Sequence, residues 1–153
     1  DYKEEFCNLR PNTTFIQSLV DSKETNKIFN LVHNEDGWEN QVSSIHKETL
    51  TMGKGFKADT IEMKTSTLQK LLPYNCIIDI LMIDVEGHEI EVLDSLNWEL
   101  NSPRIILIEN NGEFYNRSKL ENFINNKGYK LYARIGTSDD IYVLNNIEIN
   151  SNK

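Results

Sequence analysis

Two short apolar runs, each ending in carboxylates and separated by one amphipathic segment, restrict this chain to an α/β architecture. The first is Ile77-Ile78-Asp79-Ile80-Leu81-Met82-Ile83, followed at once by Asp84-Val85-Glu86-Gly87-His88-Glu89. The second, Arg104-Ile105-Ile106-Leu107-Ile108, is introduced by Pro103 and ends in Glu109-Asn110-Asn111-Gly112. Near-continuous apolar runs of this kind read as strands buried on both faces. Between them Ile90, Leu93 and Leu96 recur at helical spacing beside Val92, so residues 88–96 read as a helix. Glu89, Glu91 and Asp94 are expected on its outer face. A helix between two strands supplies a crossover, and the strands then lie parallel and adjacent. Ligands bind outside the carboxyl ends of such strands. Asp84 and Glu109 are therefore expected to share one crevice despite their separation in sequence. Carboxylates there are costly to keep unless paired, solvated or used.

The flanking segments fit the same class. Residues 1–9 read as a helix that ends before Pro11. Residues 14–20, 27–33 and 60–64 are β-prone, and residues 67–72 form a short helix stopped by Pro73. Residues 34–55, with Gly37, Gly53 and Gly55, read as a long loop or irregular hairpin. A helix over residues 118–127 is capped by Ser118, turns Leu120, Phe123 and Ile124 inward, and ends at Gly128. The period then changes. Tyr129, Leu131, Ala133 and Ile135 alternate with polar residues, and residues 141–144 follow a turn, which predicts an antiparallel hairpin with one wet face. One domain over residues 1–145 and a polar tail over 146–153 are expected.

Composition removes some partners. The net charge of −8, from 16 basic and 24 acidic residues, argues against nucleic acid, because no Lys/Arg cluster offers counterion release. No apolar run approaches the roughly 20 residues of a membrane span. The opening residues lack a signal-peptide pattern, and Cys7 and Cys76 show no metal or redox spacing and read as reduced thiols. The sequons at Asn12 and Asn116 read as chance matches, and the expected location is the cytoplasm. His33 and His46 read as surface residues.

The run Asp79-Ile80-Leu81-Met82-Ile83-Asp84-Val85-Glu86-Gly87-His88-Glu89-Ile90-Glu91-Val92-Leu93 resembles the signature of the FkbM family of S-adenosylmethionine-dependent methyltransferases. Arg10-Pro11-Asn12 with Asp21, Gly37-Trp38, Ser43-Ser44-Ile45, Ile106 to Asn110, Gly128-Tyr129-Lys130-Leu131 and Asp140-Ile141-Tyr142-Val143 fall in the family's order. The resemblance implies a Rossmann-like methyltransferase fold, with a mostly parallel sheet closed by a C-terminal antiparallel hairpin. It implies S-adenosylmethionine as cofactor and O-methyl transfer to a hydroxyl of a sugar or secondary metabolite, so a small-molecule or glycan acceptor. The family's Gly-rich cofactor loop and ribose-binding acid are expected upstream of Asp1. The chain then corresponds to the C-terminal two-thirds of the domain, its N-terminal strands missing. The alternative is a non-catalytic binding or assembly module that keeps a degenerate methyltransferase fold.

Within that resemblance Asp84 is either the base that takes the hydroxyl proton or a group that caps the helix or holds the cofactor. Glu86 either contacts the cofactor or sits favourably at a helix N-terminus. Gly87 allows the tight turn. Glu109 is a base or substrate contact. His88 contacts substrate or is a structural first-turn histidine. Ser44, with Ser43 and Trp38, and Asn110 are candidate acceptor contacts. Asp21 sits where the family contacts adenine, or simply makes a turn. Asp84 with Glu109-Asn110 also resembles the ligand set of catechol-type O-methyltransferases, which suits Mg²⁺.

Overall fold

The computed structural model describes residues 2–33, 43, 45, 57–112 and 116–147. Its elements run α1 (Tyr2–Leu9), β1 (Leu19–Val20), β2 (Asn26–His33), β3 (Lys57–Ser66), α2 (Leu68–Leu71), β4 (Ile80–Ile83), α3 (Glu89–Asp94), β5 (Ile105–Glu109), α4 (Arg117–Asn126), β6 (Tyr129–Ile135) and β7 (Asp139–Leu144). Ser44, Trp38 and His46 lie outside the described residues, as does the side chain of His33. No described helix is long and apolar enough to cross a membrane.

The strands form two mixed sheets, of order β1-β3-β2 and β4-β5-β7-β6. Among the described pairings only β1 with β3 and β4 with β5 are parallel. The mostly parallel sheet expected from the sequence is therefore corrected. The long β2–β3 ladder is antiparallel from Asn26↔Lys64 to His33↔Lys57. β7 returns after a turn at Gly136 to run antiparallel to both β5 and β6. The β4–α3–β5 unit is as expected: its strands are parallel and adjacent, with Ile83 opposite Ile108.

The core lies on one face of the four-stranded sheet. Ile83, Ile106, Ile108 and Tyr142 pack there against Val92 and Leu93 of α3 and Leu120 and Ile124 of α4. Trp98 closes the layer, stacking edge-on against Tyr129 at 5.8 Å and donating its indole N–H to Leu93 O at 3.1 Å. The Tyr129 hydroxyl donates to Pro103 O at 2.5 Å, and burial pushes its pKa up to about 12. Ser95 joins α3 to α2: its hydroxyl accepts from Leu68 N–H and donates to Val92 O.

Four local expectations change. β4 is not buried on both faces, since Ile80 is 63% and Met82 68% exposed. Only Leu81 and Ile83 turn toward the packed helices, and β5 is the one strand beside β4 among the described residues. Of residues 14–20 only Leu19–Val20 forms a strand. Asn116, not Ser118, caps α4; its Oδ1 accepts from the Ser118 amide and hydroxyl at 3.0 and 2.6 Å. In β6 Tyr129 is buried but Leu131 and Ile135 are exposed, and a bulge between Leu131 and Ala133 breaks the alternation beyond Leu131. Cys7 and Cys76 are both free, as expected, though Cys7 is exposed.

The two kinds of β-strand position make a direct test. Ile108→Ala should lower unfolding free energy by about 2–5 kcal/mol. Ile80→Ala on the exposed face should change it by no more than about 0.5 kcal/mol. Urea denaturation followed by Trp fluorescence measures both.

Candidate active site

A cleft of about 530 Å³ opens where the two sheets approach each other. Leu19 and Val20 of β1, Phe29 of β2, and Ile45 supply an apolar wall. The loop after β4 supplies the opposite side through Asp84, Val85, Glu86 and His88. Ser43 also lines it, and its hydroxyl accepts the Val32 N–H at 3.1 Å. Four of the residues singled out in the sequence, Ser43, Asp84, Glu86 and His88, thus converge on one cavity.

The loop has an unusual backbone. Glu86 adopts φ 53° and Gly87 φ 95°. Left-handed geometry suits Gly87 but costs a side-chain-bearing residue about 1–2 kcal/mol. Glu89 holds the turn: its Oε1 accepts from the Val85 N–H at 3.2 Å and from the Gly87 N–H at 3.1 Å. Glu89 is only 1% exposed, so its expected place on the outer face of the helix is corrected. It is the first residue of α3 and reaches back into the loop, where helical periodicity does not govern facing. That carboxylate was the main residue missed; its one signal was an acid two positions after a turn glycine.

His88 makes no capping bond to the helix it begins. Its Nε2 instead lies 3.1 Å from Asp21 Oδ1, and its Nδ1 faces Glu91 Oε2 at 3.6 Å. Asp21 is buried and also receives the Lys27 ammonium at 2.7 Å and the Ser22 N–H at 2.8 Å. Burial by itself would raise the Asp21 pKa. The hydrogen bonds from Lys27, Ser22 and His88 outweigh it and hold the carboxyl below its ordinary range. Asp21 therefore stands behind His88 rather than in the cleft wall. Lys27, which no motif marked, is its main partner.

Asp84 and Glu109 each follow the last β4–β5 pair, Ile83↔Ile108, and the Asp84 charge acts on Glu109, so the two are neighbours as expected. Desolvation raises the Asp84 pKa, with Glu89 and Asp139 adding repulsion. Glu109 is pushed up to about 7, first by burial and then by Asp84, Glu86 and Glu89. The Asn111 amide, donating to Glu109 Oε1 at 2.9 Å, opposes the shift. Such coupled carboxylates titrate as a group.

Asn110 is placed elsewhere. Successive strand residues point to opposite faces, and Asn110 turns to the core side, donating to Asp140 Oδ2 at 2.7 Å. Arg134 grips the same carboxylate through Nε and a terminal nitrogen at 2.6 and 2.9 Å. Asp84, Glu109 and Asn110 are thus not brought together as one ligand set. Among the described residues, no group of three or more His, Cys, Asp or Glu is arranged to hold a metal ion.

The family model described as the methyltransferase FkbM domain matches residues 2–131. The chain belongs to the FkbM methyltransferase family. The match takes in the whole β4–α3–β5 unit and ends inside β6, so β7 lies beyond it. No curated protein and no solved structure shows a significant match. Membership makes the chain a methyltransferase by resemblance, and it names no acceptor.

Glu109 makes the stability of this FkbM domain pH-dependent. A carboxyl whose pKa rises on folding contributes stability below its unfolded value and loses it as pH climbs through the folded value. Thermal stability should therefore fall between pH 4.5 and about 7, the ordinary and shifted values for Glu109. Glu109→Gln should flatten that limb in melts followed by circular dichroism. Asp21 and Asp140, whose pKa values are lowered, act in the other direction and only at acid pH.

Proposed function

We propose that this protein is a cytoplasmic S-adenosylmethionine-dependent O-methyltransferase whose acceptor is a hydroxyl of a small molecule or glycan. The observation that carries the reading is the carboxylate pair Asp84–Glu109 beside the cleft, with Glu109 titrating near neutrality. A base is most useful when its pKa lies near the working pH.

The cleft suits the cofactor. Its volume falls within the roughly 300–1,000 Å³ of small-molecule sites. Leu19, Val20, Phe29 and Ile45 present an apolar surface for a planar base, while Asp84 and Glu86 offer acceptors for hydroxyl or ammonium groups. Their negative charge also favours a cationic ligand. S-adenosylmethionine, when bound, supplies an electrophilic methyl group on a sulfonium.

The protein's own contribution is placement and proton handling. Asp84 lines the cleft and accepts the proton of the acceptor hydroxyl as that oxygen becomes nucleophilic. Glu109, next to it, keeps the proton shared within the pair, because two adjacent anions repel. His88, held by Asp21, forms a polar wall that orients the acceptor; Ser44 and Asn110 are secondary candidates for acceptor contact, Asn110 only through a change in its bond to Asp140. Glu86 faces the cofactor side. Mg²⁺ has less support, since Asn110 is turned away from the pair.

The test uses methyl-labelled S-adenosylmethionine with a panel of monosaccharides and methyl glycosides. Asp84→Asn should lower kcat by about 10²–10⁴-fold, while S-adenosylhomocysteine is still bound through Glu86 and the apolar wall. The rate should rise with pH through about 7, following the Glu109 group. Absence of both transfer and S-adenosylhomocysteine binding would instead favour the non-catalytic binding module.

A further inference from the structure

We infer that Glu89 is a positioning residue: its carboxylate sets the aim of Asp84 and Glu86 by tying down the backbone between and beside them. Oε1 takes the N–H groups of Val85 and Gly87 together, at 3.2 and 3.1 Å. Those two amides flank Glu86, the residue at φ 53°. A single oxygen thus bridges both sides of the left-handed residue. Glu86 leaves the main chain between the two clamped amides and Asp84 directly before them, and both line the cleft. Glu89 itself is buried and does not line it.

Helix formation makes the clamp possible. Glu89 opens α3, whose next turn is anchored by Val92 and Leu93 in the core. The carboxylate is therefore delivered from a packed element, and the loop borrows that rigidity. Reach is the essential property. An oxygen one methylene shorter cannot touch both amides, whereas a neutral amide oxygen of the same length can.

Two variants separate reach from charge. Glu89→Asp keeps the charge and shortens the reach; Glu89→Gln does the reverse. Amide hydrogen exchange at Val85 and Gly87 should accelerate about tenfold in Glu89→Asp, matching loss of one hydrogen bond, and stay near the parent rate in Glu89→Gln. The Kd for S-adenosylhomocysteine should follow the same order. Equal exchange in both variants, the reverse order, or global unfolding of either by circular dichroism would overturn the assignment. The catalytic importance of the clamp rests on the methyl-transfer reading, but the amide readout does not. If exchange separates the variants while the parent binds no S-adenosylhomocysteine, the clamp stands and the cofactor reading falls. If the parent binds it and exchange is the same in both variants, the clamp falls and the cofactor reading stands.

Discussion

The buried carboxylate of Asp21 is the interaction on which the geometry of the cleft depends. It belongs to the three-stranded sheet, directly after β1, and meets His88 across 67 residues of sequence at the start of α3. Its second oxygen holds Lys27 from β2. Removing one partner from such a set leaves an uncompensated buried charge, which costs far more than the intact arrangement contributes. The set therefore acts as a unit. It fixes how β1 and β2, which supply the apolar wall, face the loop that supplies the acids.

Four acids in this protein show how surroundings decide what a carboxyl group does. Asp21 and Asp140 are buried, yet both are held below the ordinary range because each receives a cation and further hydrogen bonds. Asp84 and Glu109 meet desolvation together with other acids, and both are pushed up. The first two remain charged over the whole neutral range and serve as fixed anchors. The second two are the acids to which the proposed function gives proton transfer. Divergent titration of one residue type separates structural from chemical acids.

The β4–α3–β5 unit was legible because a crossover helix between two apolar runs leaves almost one topology open. Adjacency of Asp84 and Glu109 followed from it. Convergence of Asp84, Glu86 and His88 on a cavity was legible through the motif they share. Glu89 was not, since periodicity assigns a helix residue to a face only after the first turn is established. Asn110 differs for a related reason: neighbours at a strand end point to opposite faces, so Glu109 and Asn110 do not form one patch. The partners of Lys27 and Asp140 were not legible, because they lie outside the strand that carries each residue. The exposure of β4 was hidden by its composition. An apolar run looks the same whether one side or both are covered.

Loop 84–88 concentrates features that oppose folding. Glu86 carries left-handed backbone strain, and Asp84 with Glu109 places like charges together with reduced solvation. None of these is stabilising by itself, and a helix cap with fewer acids would be a simpler end for β4. The unfavourable terms are offset elsewhere by the Glu89 hydrogen bonds, the Asp21–His88 tie and the core under α3. Strain at Glu86, like charge shared with Glu109 of β5, and support from α3 and Asp21 suit the preorganised site proposed above. The same division explains why substitutions in the core and at the acids should act differently: the first remove stability, whereas relieving the repulsion at Glu109 adds stability and, under the proposed function, removes chemistry.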